Sequence, residues 1–172
     1  MKPFTRLDYC QYLLSSPVNY TLTNLAEHLE GVSHDRIKRY LQGVKLTPRL
    51  LWEQVKVDLI ESSHGYLVFD DTVLDKSYSR KIDCSQWQYS GNAGGLVKGI
   101  GLVSCVYVNP EVDQYWVIDY RLYDKAGDGR SKLEHVQEML KSTLHSKGLL
   151  FKTVLMDSWY ATQPLMAFID SG

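Results

Sequence analysis

Gly65-Tyr-Leu-Val-Phe-Asp-Asp-Thr-Val-Leu-Asp-Lys76 is the stretch that decides the fold. Its run from Tyr66 to Phe69 is apolar and rich in aromatic and β-branched residues, the composition of a buried strand. Asp70 and Asp71 follow at once, then Thr72, so the carboxylates are expected where that strand leaves the core. Phe151-Lys-Thr-Val-Leu-Met-Asp-Ser-Trp-Tyr160 repeats the design, an apolar strand ending on Asp157. Two strands of one sheet, each delivering an aspartate to the rim, offer hard oxygen donors to a divalent cation. Mg²⁺ takes one or two carboxylates and completes its shell with water and substrate phosphate.

The rest of the chain sets the frame. It has 172 residues, 44% hydrophobic and 23% charged, enough for a globular core of one domain plus a small addition. A formal net charge of −1 gives no global argument for nucleic acid; that argument must come from local patterning. Cys10, Cys84 and Cys105 are odd in number and widely spaced, which fits a reducing compartment and no metal-type pair. The N-terminus lacks an apolar signal core, and no apolar run approaches the length of a membrane span, so a cytoplasmic place is expected.

Residues 1–62 read as a helical subdomain. Ser15-Ser16-Pro17 stops a first helix. Thr21 caps a second over Leu22 to Leu29, Ser33 caps a third over His34 to Leu41, and Thr47-Pro48 opens a fourth over Arg49 to Glu61. Thr21 to Leu41 has the outline of a helix-turn-helix. Its second helix carries Arg36, Lys38 and Arg39, which suit phosphates or purine edges in a major groove; an ordinary solvated basic face accounts for them equally well.

Past Asp75 the chain is polar and basic, with Lys76, Arg80 and Lys81, and then carries Trp87-Gln-Tyr89 before a glycine-rich turn. Cations, amides and aromatics beside a carboxylate rim suit a polyanionic substrate, although each ring taken singly is expected to tuck into the core. Gly99 to Val108 reads as a strand; Gly99-Ile-Gly101 lacks the third glycine and following helix of a dinucleotide fingerprint. Tyr115 to Tyr123 reads as its antiparallel neighbour, with Trp116, Ile118, Tyr120 and Leu122 on one face. Ser131 with Glu134 forms a capping box for a helix over Lys132 to Lys147 ended by Gly148. A last helix runs toward Ile169. The expected order is β-β-β-α-β-α.

That order, and the wording of Phe69-Asp-Asp-Thr-Val-Leu-Asp-Lys76, Gln88-Tyr-Ser-Gly-Asn92, Val97-Lys-Gly-Ile-Gly-Leu102 and Val154-Leu-Met-Asp-Ser-Trp-Tyr160, resembles the catalytic domain of bacterial insertion-sequence transposases of the DDE type. The resemblance covers roughly residues 64–170. It implies an α/β fold with a mixed sheet, a ribonuclease-H-like core over 63–172 that is incomplete at its C-terminus, behind the helical subdomain. It implies phosphodiester cleavage and strand transfer at transposon ends by a two-metal mechanism with Mg²⁺ (or Mn²⁺). Of the family's three acids the first maps to Asp71, with Asp70 as the open alternative; strand alternation puts these two on opposite faces, so one of them is the ligand. The second maps to Asp157. The third, a downstream Glu, has no counterpart, since no Glu follows Asp157. The chain therefore reads as the front portion of a transposase, inactive or nearly so alone.

Double-stranded DNA is the expected partner, the nucleoid the expected location, and a homodimer or a mixed dimer with full-length transposase a further expectation. Lys76, Arg80 and Lys98 are weaker candidates for phosphate contact. Two other readings remain at this point: a DNA-binding module without catalysis, and a ribonuclease-H-like nuclease that cuts without joining. For Asp71 a turn carboxylate and for Asp157 a helix cap are the plain alternatives.

Overall fold

The computed structural model describes residues 4–16, 21–43, 45–78 and 82–170. They divide into two compact units between Leu46 and Thr47.

The first unit holds helices α1 (Arg6–Ser15), α2 (Leu22–Glu27) and α3 (His34–Gln42). Each begins on a hydroxyl that satisfies an otherwise unpaired amide of the first turn. Thr5 and Asp8 form a full capping box, Thr21 Oγ1 accepts from the Asn24 amide at 3.2 Å, and Ser33 Oγ accepts from Arg36 at 3.3 Å. Phe4, Tyr12, Leu25, Val32 and Ile37 make a small core, with the Tyr40 ring edge-on to Phe4 at 5.1 Å.

Helix α4 (Pro48–Val55) opens the second unit and stops well before Glu61. Its Trp52 and Val55, with Leu59 beyond it, pack against the main core, and α4 lies on the strand Gln114–Tyr123. These apolar contacts are why the division falls at residues 46 and 47 and not at 62.

The sheet is built on β3 (Gly95–Asn109). Along one side runs β1 (Tyr66–Asp75), antiparallel, from Tyr66 opposite Val108 to Asp75 opposite Gly99. Along the other lie β2 (Gln86–Ser90) and then β4 (Gln114–Tyr123), both antiparallel. β5 (Thr153–Met156) adds to β1 in parallel, from Tyr66 opposite Thr153 to Phe69 opposite Met156. A parallel pair needs a crossover. Helix α6 (Lys132–Lys141), its π-helical extension Ser142–Lys147 and the left-handed Gly148 provide it. Short α5 (Lys125–Asp128) precedes α6, and α7 (Gln163–Asp170) follows β5. This is a mixed α/β sheet of ribonuclease-H-like order. Strand β2 is the addition to the expected β-β-β-α-β-α; its five residues sit in what reads as a polar loop.

The core covers one sheet face. Leu67, Phe69, Val103, Cys105, Tyr107 and Ile118 meet Val136, Met139 and Leu140 of α6, Tyr160, and Leu165 of α7. β4 departs from simple alternation. A register shift between Cys105 and Val106 makes Ile118 the extra residue of a β-bulge, and a bulge re-aims every side chain after it. Asp119 is buried in consequence, while Leu122, expected on the apolar face with Tyr120, is exposed. Buried Asp119 is neutralised by Arg121 and by Lys147 Nζ at 2.8 Å. Gly101 is a packing residue: a Cβ there would lie 2.5 Å from Oε1 of Gln88, whose Nε2 donates to Gly99 O of the same strand as Gly101.

Tyr107 fastens the start of both parallel strands. Its hydroxyl accepts from the Ser62 amide at 2.9 Å and lies within hydrogen-bond reach of the carbonyls of Ser62 and Leu150 at 3.1 and 3.0 Å.

Candidate active site

The last parallel pair is Phe69 with Met156, yet β1 continues to Asp75 alongside β3. Asp70 and Asp71 are thus inside a strand and not at its end, because β3 keeps pairing with β1 after β5 has left it. Asp157 does follow the end of its strand, in extended conformation. A cleft of about 720 Å³ opens where the two strands part, and Asp70, Asp71 and Asp157 all line it with Lys132, Tyr123 and Trp159.

The two neighbouring aspartates differ as alternation requires. Asp70 is exposed, and its Oδ1 accepts from the Asp71 amide at 2.9 Å. Asp71 shares the face of Leu67 and Phe69 and is 14% exposed; its Oδ2 lies 2.5 Å from Lys132 Nζ. Its Oδ1 accepts from the Tyr160 hydroxyl at 3.0 Å. The turn role considered for Asp71 belongs to Asp75, whose Oδ1 accepts from Ser77 N at 2.8 Å and Ser77 Oγ at 2.5 Å. Asp157 is exposed, makes no side-chain cap bond, and accepts from Ser158 Oγ at 3.1 Å. Burial raises the Tyr160 hydroxyl pKa well above the ordinary tyrosine range, and the charges of Asp71, Asp70 and Asp157 push the same way.

Lys132 and Tyr160 are the residues that sequence reading missed. Trp159 and Tyr160 were visible only as part of the segment around Asp157, and Lys132 only as the first residue of a helix.

Carboxylates, hydroxyls and side-chain amides supply oxygen donors in the cleft, and no thiol or imidazole lines it among the described residues. Among the described residues no group of three or more His, Cys, Asp or Glu side chains is gathered to hold a metal ion. This chemistry fits a hard divalent cation that keeps water or substrate oxygens in its shell, and does not fit a closed zinc-type cage.

The residues lining the cleft include none of the basic candidates described. Lys38 and Arg39 are exposed and Arg36 half-buried on α3, in the first unit. Lys76 donates its backbone amide to Lys98 O at 2.9 Å, and neither residue lines the cleft. Arg80 falls outside the described residues. Trp87 and Tyr89 do not tuck into the core: they are 68% and 65% exposed, because alternation in β2 turns Gln88 and Ser90 inward instead.

Sheet order and a carboxylate cleft at the end of the parallel pair place the second unit in the class of ribonuclease-H-like folds. Residues 4–169 match the family described as DDE superfamily endonuclease, and the chain belongs to that family. Among solved structures it is similar to a Mos1 transposase paired-end complex with the left transposon end, at 18% identity and a TM-score of 0.33. It is also similar to a mariner Mos1 paired-end complex with Mg, at 14% and 0.31, and to a Mos1 strand transfer complex, at 18% and 0.32. The alignments take in 99% of this chain and 58%, 58% and 57% of those chains, so it spans less than two thirds of their length. No curated protein matches it.

Proposed function

We propose that the chain serves metal-dependent cleavage and strand transfer of double-stranded DNA at transposon ends, with Asp71 and Asp157 as its catalytic carboxylates. The observation that carries this reading is the meeting of those two residues in one cleft, in a chain of the DDE endonuclease family. Asp71 and Asp157 would hold Mg²⁺ or Mn²⁺, which when bound supplies charge neutralisation and Lewis acidity for in-line attack on a phosphodiester. The chain's own part is positioning. Asp71 is fixed by a strand hydrogen-bonded to β3 and by Tyr160 and Lys132. Asp157 stands exposed across the cleft, open to a phosphate.

Arg36, Lys38 and Arg39 are assigned to DNA phosphates or base edges, and Lys76, Arg80 and Lys98 to phosphates of the same duplex. A homodimer, or a mixed dimer with a longer transposase, at the nucleoid of the cytoplasm completes the proposal. The exposure of Lys38 and Arg39 on a capped helix favours one second reading, DNA binding by the first unit without catalysis.

Calorimetric titration with Mn²⁺ and cleavage of labelled linear DNA test the first reading. Asp71→Ala and Asp157→Ala are each expected to weaken Mn²⁺ binding about tenfold or more. Identical titrations for all three proteins would sink it and leave DNA binding alone.

A further inference from the structure

Lys132 is the first residue of α6. That is an unfavourable place for a cation, because the first turn carries the positive end of the helix dipole. The side chain is nevertheless drawn into the cleft, with Nζ 2.5 Å from Asp71 Oδ2 and only 13% of the side chain exposed. The rings of Tyr123 and Trp159 flank the ammonium at 5.5 and 5.8 Å from their centroids, within the range of cation–π attraction. Tyr160 engages the other carboxylate oxygen. Asp71, alone of the three cleft aspartates, is thus bound on both oxygens, while Asp70 and Asp157 stand exposed.

We propose that Lys132 is a built-in counter-ion of Asp71: it holds the carboxylate in the metal-free protein and gives up Oδ2 when a divalent cation binds. The inference rests on the reading of Asp71 as a metal ligand and deepens it. A lysine suits the task because its ammonium is a point charge on a flexible stem, and it can leave without dismantling a bidentate pair as an arginine would. The flanking rings give the displaced ammonium a second favourable contact inside the cleft. Since the cation binds only the fraction of molecules in which Oδ2 is free, its apparent affinity falls by that fraction. Lys132 therefore makes the site weaker than its carboxylates alone would be, and any binding of a divalent ion exposes an amine that is otherwise engaged.

The test is calorimetric titration of the whole chain with Mn²⁺, comparing the parent with Lys132→Met and Lys132→Arg. Lys132→Met is expected to bind about tenfold more tightly, and Lys132→Arg no more tightly than the parent. A parallel measurement on the unsubstituted chain follows acylation of the Lys132 amine by mass spectrometry; its rate is expected to rise on adding Mg²⁺. Equal or weaker binding by a folded Lys132→Met protein overturns the proposal. If circular dichroism shows that variant unfolded, an acylation rate indifferent to Mg²⁺ overturns it instead. Binding of equal strength with and without Lys132 defeats the counter-ion alone, whereas no binding by either protein defeats the carboxylate site itself.

Discussion

Two shielded lysine–aspartate pairs stand among the described residues, and they are opposites. Lys147 meets Asp119 deep in the second unit, where both side chains are almost fully buried. Its ammonium also bonds Ser142 Oγ at 2.9 Å and lies 5.7 Å from the centre of the Trp52 ring. Arg121 adds a second cation to the same aspartate. Lys147 closes a helical segment, where the dipole welcomes positive charge. Lys132 meets Asp71 at the opening of a helix, in a cleft that one ammonium shares with three carboxylates. The first pair has cations to spare and is closed; the second is short of positive charge and open. A buried acid already supplied with cations reads as structural, and a cleft with one cation among three acids is the place where the proposed divalent ion would find unmet negative charge.

The sharpest way to break this contrast is to remove each acid. Asp119→Ala strands Lys147 and Arg121 in the core and should cost about 3–5 kcal/mol, read as a lower midpoint in urea. Tyr160→Phe should come next, at about 1.5–3 kcal/mol, because a hydrogen bond to a shielded carboxylate is lost. Asp71→Asn leaves a lysine that can turn into the open cleft and an amide oxygen that still accepts from Tyr160, so it should cost about 1 kcal/mol while weakening Mn²⁺ binding about tenfold or more. If Asp71→Asn proves as damaging to folding as Asp119→Ala, the cleft pair is structural and the contrast fails.

The smallest expected effect concerns pH and a shielded imidazole. His135 of α6 is buried with Asp128 3.4 Å from Nε2. Burial lowers its pKa, against the opposing pull of Asp128 and Glu138. The unfolded chain takes up a proton near the ordinary value of about 6.5 while the folded chain resists. Stability should therefore be full above that value and fall as the pH drops through it. Urea midpoints at neutral and mildly acid pH should show this decline in the parent and less of it in His135→Asn.

What the sequence disclosed was local. Hydroxyl caps at Thr21, Ser33, Thr47 and Ser131 lie where expected, since a cap needs only its own next three residues. The strands bearing Asp71 and Asp157 were legible from short apolar runs. What escaped depends on register or on distant partners. The bulge at Ile118 leaves no compositional trace and still decides that Asp119 is buried. β2 was hidden because its inward residues, Gln88 and Ser90, are polar and its aromatics face outward. Lys132 looks like any lysine at a helix start; the acid that gives it meaning is 61 residues away.

The Tyr107 hydroxyl ties the segments entering β1 and β5 together at one end, and the backbone bond from Lys152 N to Gly65 O at 2.7 Å reinforces the tie. Asp71 and Asp157 stand at the other end, beyond the last paired residues. In mechanical terms β5 is a short strip held at both ends, at its base by these bonds and just beyond its tip by buried Tyr160, whose hydroxyl bonds Asp71. The gap between the two acids is thus set by backbone pairing on one side and by a single side-chain bond on the other.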